Sequence, residues 1–203
     1  MKQDRRTVAA ALAGLPLLGG AAMAQTPATR VVIETAAGSI TLELYGDKAP
    51  VTVANFLRYV DEQRFDGKQF YRTVRPETMP TIGLIQGGVQ GDPTRVLPPI
   101  AHEPTTQTGL RHKDGTMSMP RRGLGTADGE FFIVLGDAPW FDVNPIKPGD
   151  DNLGFAAFGQ VVEGMDVVRA IHAMPTHPTE GETYGMKGQI LEPPLKITAV
   201  RRA

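Results

Sequence analysis

Hydrophobic and polar positions alternate along "RVVIETAAGSITLELYG", with Ile40, Leu42 and Leu44 set against Thr41, Glu43 and Tyr45. A period of two marks half-buried strands, so the fold is predicted to open with a β-hairpin turning at Ala36-Ala37-Gly38. The period then lengthens. In "DKAPVTVANFLRYVDEQ", Val53, Phe56, Leu57 and Val60 recur at helical spacing behind Pro50, a residue that the first helical turn tolerates because its N–H would have no intrahelical partner anyway. Short apolar runs follow at Gln69 to Val74, Ile82 to Gln86, Gly115 to Met119, Phe131 to Leu135, Phe155 to Val161 and Leu195 to Val200, divided by Gly, Pro and Asp. Only "EGMDVVRAIHAM" among the later segments has a second helical pattern. Eight short strands and two helices without regular βαβ alternation predict a mainly β fold, a closed eight-stranded antiparallel barrel with helices over its ends. "DVNPIKPGDDNLG", Asp142 to Gly154, is predicted to be a long polar surface loop.

Composition sharpens this picture. A chain of 203 residues, 41% hydrophobic, can bury one substantial core, and 23 glycines with 17 prolines favour a turn-rich fold over a helical bundle. The first 24 residues stand apart from it. A basic start (Lys2, Arg5, Arg6), an uncharged apolar run from Thr7 to Met23 and the small-residue pattern Ala22-Met23-Ala24 have the layout of an export signal cleaved after Ala24. The Arg5-Arg6 pair gives it a twin-arginine character. The run is interrupted by Gly14, Pro16, Gly19 and Gly20, which makes it a poor membrane anchor. The expected organisation is a leader over 1–24, a linker over 25–29 and one domain over 30–203, located in the periplasm with no stable membrane span after cleavage.

Loss of the leader leaves 18 basic and 21 acidic residues, a net charge of −3 that gives nucleic acid nothing to bind. The absence of cysteine excludes disulfides, thiolate metal sites and a cysteine nucleophile. The chain has two serines, Ser39 and Ser118, and neither lies in a nucleophile-elbow sequence. His102, His112, His172 and His177 lack zinc-protease spacing and are expected to be solvated or capping. "GLGTADG" lacks the Gly-Lys-Ser/Thr ending of a phosphate loop. No metal or cofactor is expected, and a monomer is the default. What remains is an arginine, Arg72, among aromatic and apolar residues: Phe70, Tyr71, Leu84, Phe131, Phe132, Trp140, Phe141, Phe155 and Phe158.

The segments "FYRTV", "LIQGGVQGD", "GTMSMP", "GEFFIVLG", "PWFD" and "FAAFGQVVEGMDVV" resemble, in order and approximate spacing, those of the cyclophilin family of peptidyl-prolyl cis-trans isomerases. The resemblance implies proline-containing polypeptides as substrates and rotation about the Xaa-Pro bond as the reaction, with no covalent step. On it, Arg72 matches the catalytic arginine, Phe132 the aromatic floor of the proline pocket, Leu84 a wall usually built by methionine, and Gln86 the glutamine that binds peptide backbone. Trp140 matches a pocket-edge tryptophan, and Phe141 a position that is usually leucine. Several positions depart from the pattern. "RPETMPTIG" replaces the usual pocket-phenylalanine segment and puts Gly83 in its place, Pro120-Arg121 replaces a backbone-binding Ala-Asn pair, and Phe155 aligns with a rim histidine. Glu130 replaces a glutamine, and it either orients Arg72 through a charge-assisted bond, holds it away from substrate, or pairs with Arg121. These departures leave a second reading, a proline-peptide-binding or chaperone-like module with little catalysis.

Overall fold

The computed structural model describes residues 28–146 and 149–203; the expected leader, the linker up to residue 27, Lys147 and Pro148 lie outside the described residues. Strands β1 (Thr29–Thr35), β2 (Gly38–Leu44), β3 (Gln69–Val74), β4 (Gly83–Gly88), β5 (Thr116–Met119), β6 (Glu130–Leu135), β7 (Ala156–Glu163) and β8 (Ile190–Arg202) form a closed barrel in the order β1-β2-β7-β5-β6-β4-β3-β8. All eight ladders are antiparallel. Closure leaves no unpaired sheet edge.

Strand alternation divides the side chains into two apolar sets. The inward set, including Ile33, Ile40, Leu42, Phe70, Ile85, Met117, Phe131, Ile133 and Phe158, fills the barrel. Helix α1 (Pro50–Asp61) closes one end by inserting Phe56, which meets Phe65, Phe131 and Phe158 at ring separations of 5.2, 5.7 and 5.5 Å. Helix α3 (Met165–His172) adds Val168 and Ile171 to the same core. A smaller outward set, Leu84, Phe132, Val134 and Ala138, packs with Val74, Phe141 and Phe155 on the barrel's outer face.

The N-terminus of α1 has no side-chain cap of its own at Ala49. Glu103, buried to 2% exposure, instead accepts hydrogen bonds from the Val51 and Thr52 N–H groups and the Thr52 hydroxyl. An acceptor with negative charge suits the unpaired N–H groups and positive dipole end of a helix. Tyr59 and Asn55 of α1 tie down the β4–β5 and β5–β6 connections by bonding the Leu97 N–H and the Asp128 carbonyl, both at 2.7 Å.

The two longer helices fall where the periodicity puts them, and a third, one-turn helix α2 (Thr105–Thr108) has no apolar period to announce it. Strand β8 begins at Ile190, five residues before the apolar run at Leu195, because the Pro193-Pro194 pair within it leaves the ladder instead of ending the strand. The expected surface loop Asp142 to Gly154 is connecting chain in its described residues, with a 3₁₀ turn over Gly149–Leu153, but Asp142 and Gly154 at its two ends are buried.

Candidate active site

The register of five adjacent strands lines up Ser118 of β5, Phe132 of β6, Gln86 of β4, Arg72 of β3 and Ile190 of β8 in one row across the barrel. Strict alternation would send Tyr71 and Arg72 to opposite faces, since Phe70 points into the core. A β-bulge prevents this. Phe70 pairs with Gly87 and Arg72 with Gln86, so Tyr71 has no partner in the ladder. The extra residue turns Arg72 outward beside Tyr71, which is how bulges re-aim side chains. Strand β8 breaks register at the same place, passing from Leu195 opposite Phe70 to Ile190 opposite Arg72.

The Arg72 guanidinium is held on two sides. Nη1 donates to Oε1 of Gln86 at 2.9 Å, while Nε and Nη2 both donate to Oε1 of Gln189, at 2.8 and 2.6 Å. Gln189 is itself fixed, because its carbonyl accepts the Thr73 N–H at 2.8 Å. These bonds use three of the five guanidinium N–H groups and leave two for a ligand. Burial pushes the Arg72 pKa below its ordinary value, yet arginine titrates so high that the side chain stays charged.

From Gln86 a chain of hydrogen bonds runs to Glu130. Gln86 Nε2 donates to the Tyr71 hydroxyl at 2.7 Å, and that hydroxyl donates to Glu130 Oε2 at 2.8 Å. Glu130 Oε1 accepts the Gln90 N–H. Burial raises the Glu130 pKa to about 7, against the lowering effect of those two hydrogen bonds. Burial and the neighbouring Glu130 charge push the Tyr71 phenol well above its ordinary value, so it remains a donor. None of the three alternatives for Glu130 describes this arrangement. Glu130 reaches Arg72 only through Tyr71 and Gln86, and Arg121 turns to the Gly154 carbonyl at 2.9 Å and the Phe155 ring at 5.9 Å.

Beside this polar chain lies the outer apolar cluster. Phe132 meets Phe141 and Phe155 edge-on at 5.5 Å each, and Phe141 and Phe155 meet at 5.5 Å, with Leu84, Val134 and Val74 against them. Gly83 contributes no wall, since a Cβ there would lie 1.9 Å from the Val74 carbonyl oxygen. Phe155 and Phe141 therefore carry the apolar surface on that side. Trp140 packs on Phe141 at 5.9 Å and stays 39% exposed at the rim. Pro120, half-buried, follows β5 directly and leads into Arg121.

Beneath Phe132 lies a polar support that the sequence does not reveal. His112 stacks on the Phe132 ring at 6.2 Å and 9°. Its Nδ1 bonds Asp142 Oδ1 at 2.7 Å and its Nε2 bonds Ser118 Oγ at 2.8 Å. The Asp142 oxygen accepts, so Nδ1 carries the proton and Nε2 takes the serine hydroxyl. Burial holds the His112 pKa below its ordinary value, against the Asp142 hydrogen bond, and keeps the ring neutral. The three groups align like a nucleophilic triad, but Ser118 is 0% exposed and no substrate carbonyl can reach it. The expectation of solvated or capping histidines fails for His112 and His172, which are 1% and 5% exposed. His172 bonds the Val74 carbonyl at 3.1 Å, and both rings are drawn inside by partners distant in sequence. His177 does cap, accepting the Glu180 N–H at 2.9 Å.

The sequence over residues 30–200 matches the family described as cyclophilin type peptidyl-prolyl cis-trans isomerase/CLD. A peptidyl-prolyl cis-trans isomerase of Acinetobacter baylyi is 34% identical over 197 residues, covering 97% of this chain and 95% of that protein. Peptidyl-prolyl cis-trans isomerase A of Dickeya dadantii is 35% identical over 202 residues, covering 98% and 97%. Among solved structures, a cyclophilin type isomerase of Cryptosporidium parvum superimposes with a TM-score of 0.66 at 18% identity, covering 87% of this chain and 98% of that one.

Proposed function

The chain belongs to the cyclophilin-type peptidyl-prolyl cis-trans isomerases and is an enzyme of that class, and we propose that it accelerates Xaa-Pro isomerisation in proteins folding in the bacterial periplasm, with Arg72 as its catalytic group. The observation that carries the assignment of Arg72 is the row Phe132–Gln86–Arg72: an apolar seat for a proline ring, one amide, then a fixed cation with two N–H groups uncommitted.

Rotation about an Xaa-Pro bond meets a barrier of roughly 18–20 kcal/mol because amide resonance is lost on the way. The planar proline nitrogen is a poor acceptor, since its lone pair is delocalised. As the bond twists the lone pair localises, and an N–H of Arg72 donates to it. That bond exists only near the transition state, so it lowers the barrier without deepening the ground state. Leu84, Phe132, Phe141 and Phe155 seat the ring and keep water off the nitrogen, which strengthens the bond. Gln86 holds Arg72 and lies where a substrate backbone crosses the row. Pro120, Arg121 and Trp140 form the rim over which flanking residues pass.

Two measurements test this reading. Phe132→Ala removes the floor of the pocket and is expected to lower kcat/KM for a proline tetrapeptide by about 10–100-fold, mainly through KM, from the apolar contact it loses. A loss confined to kcat would place the proline elsewhere. Periplasmic delivery of the full-length chain by the twin-arginine route is expected to stop when Arg5-Arg6 becomes Lys-Lys. Continued delivery would leave export to a general signal, and retention of the unaltered chain in the cytoplasm would end the periplasmic reading.

A further inference from the structure

Past Arg72, the row ends at Ile190, where a second groove of about 560 Å³ opens. Its apolar walls are Tyr71, Tyr184, Met186 and Ile190, with one cation, Arg122, and one anion, Glu180, among its lining residues. The volume is in the range of small-ligand sites. It is continuous with the Arg72 wall: Tyr71 shares the bulge with Arg72, Ile190 pairs with it, and Gln189 between them bonds its guanidinium.

The outer wall is a built feature of the α3–β8 connection. Around the 3₁₀ turn Glu182–Tyr184, the Met186 N–H bonds the Gly181 carbonyl at 2.9 Å and the Gln189 N–H bonds the Met186 carbonyl at 3.0 Å. At the start of the loop, the His177 N–H bonds the Ile190 carbonyl at 2.8 Å. On this frame Tyr184 is 81% exposed, an aromatic ring held at the edge of a groove and covered by nothing in the described chain.

We propose that this groove is a subsite for a bulky apolar side chain of the polypeptide substrate, about four residues from the isomerised proline. The inference rests on the proline lying at Phe132. The spacing follows from the register. Phe132 and Ile190 are three strand intervals apart, roughly 14 Å at about 4.8 Å each, and an extended chain covers about 3.3 Å per residue. A chain seated at Phe132 and crossing Gln86 and Arg72 therefore delivers a side chain to Ile190 after about four residues. The lining suits an aromatic or long aliphatic group, because a charged one would be set against apolar walls with only a single partner of opposite sign.

The test compares a minimal proline tetrapeptide with eight-residue peptides extended on either side of the proline, carrying Trp or Ala at the fourth position from it. In one direction, the Trp peptide is expected to exceed the Ala peptide in kcat/KM by about tenfold, the discrimination one apolar pocket provides. Tyr184→Ala and the double variant Tyr184→Ala/Met186→Ala are expected to bring that ratio toward one. Tyr184 is on the surface, so the variants are expected to fold. A ratio near one in both directions for the unaltered protein, or a ratio that survives the double variant, overturns the subsite. If the unaltered protein fails even to exchange the tetrapeptide, the isomerase reading has failed and the subsite falls with it.

Discussion

Replacing Arg72 with alanine is expected to lower kcat/KM for a proline tetrapeptide by about 10²–10³-fold, the usual loss when one preorganised donor to a transition state is removed. The fall is expected in kcat. A donor aimed at a nitrogen that accepts only when twisted contributes little to binding the planar cis or trans peptide, so KM moves little. The side chain is preorganised by Gln86 on one edge and Gln189 on the other, and it does not have to be recruited when substrate arrives. Arg72→Lys keeps a charge but loses the fork. One ammonium cannot satisfy both glutamine oxygens and still reach a proline nitrogen, so lysine is expected to recover less than about tenfold of the lost rate. Arg72 is on the outer face, away from the core that fills the barrel, and an unchanged near-ultraviolet circular dichroism spectrum separates lost chemistry from a lost fold. Equal exchange rates for the unaltered protein and Arg72→Ala would remove Arg72 from the mechanism and favour the binding-module reading.

How far the sequence leads to this site depends on how local each cause is. The barrel was legible because its cause is a period of two repeated along the chain, with Phe131 inward and Phe132 outward as alternation requires. The outward positions of Leu84 and Phe132 follow from that alternation, while Phe141, in a 3₁₀ turn, and Phe155, just before β7, were legible only through the family resemblance. Tyr71 is different. Its place beside Arg72 depends on a bulge, which a one-residue mismatch between two strands creates, and no property of "FYRTV" alone announces it. Gln189 is 117 residues from Arg72 and comes just before a strand start masked by two prolines. His112 and Asp142 look like surface residues of polar loops, and only the closure of the barrel brings them under Phe132. The departures at Gly83 and Glu130 were visible as departures. Their outcome was not, because it depends on a carbonyl of β3 in one case and a tyrosine hydroxyl in the other.

Activity and stability are expected to move in opposite directions across the titration of Glu130. Burial, aided by the Asp128 charge, outweighs the Tyr71 hydroxyl, the Gln90 N–H and Arg122 and raises the pKa of this carboxyl to about 7 from 4.5. Above pH 7 the ionised carboxylate can only accept. It fixes the Tyr71 proton toward itself, leaves the Tyr71 oxygen to accept from Gln86 Nε2, and so keeps Gln86 Oε1 on Arg72. Below pH 7 the protonated carboxyl donates to Tyr71, whose own proton turns to Gln86. The amide must then offer its oxygen to Tyr71 and its NH₂ to the guanidinium, donor against donor, and Arg72 loses one of its two anchors. A loss of about 1.4 kcal/mol in transition-state stabilisation corresponds to about a tenfold fall in kcat/KM, with its midpoint near pH 7. The fold responds the other way. Between pH 4.5 and 7 the unfolded chain has shed this proton while the folded chain keeps it, so stability declines as pH rises through that window, by about 3 kcal/mol from this group, and then levels. Exchange rates and denaturant unfolding measured from pH 5 to 9 read both trends. Glu130→Gln is expected to flatten both. Tyr71→Phe breaks the chain but leaves the buried carboxyl, and is expected to flatten the activity profile while the stability trend persists. Activity that still falls below pH 7 in Tyr71→Phe would separate Arg72 from Glu130 and sink the coupling.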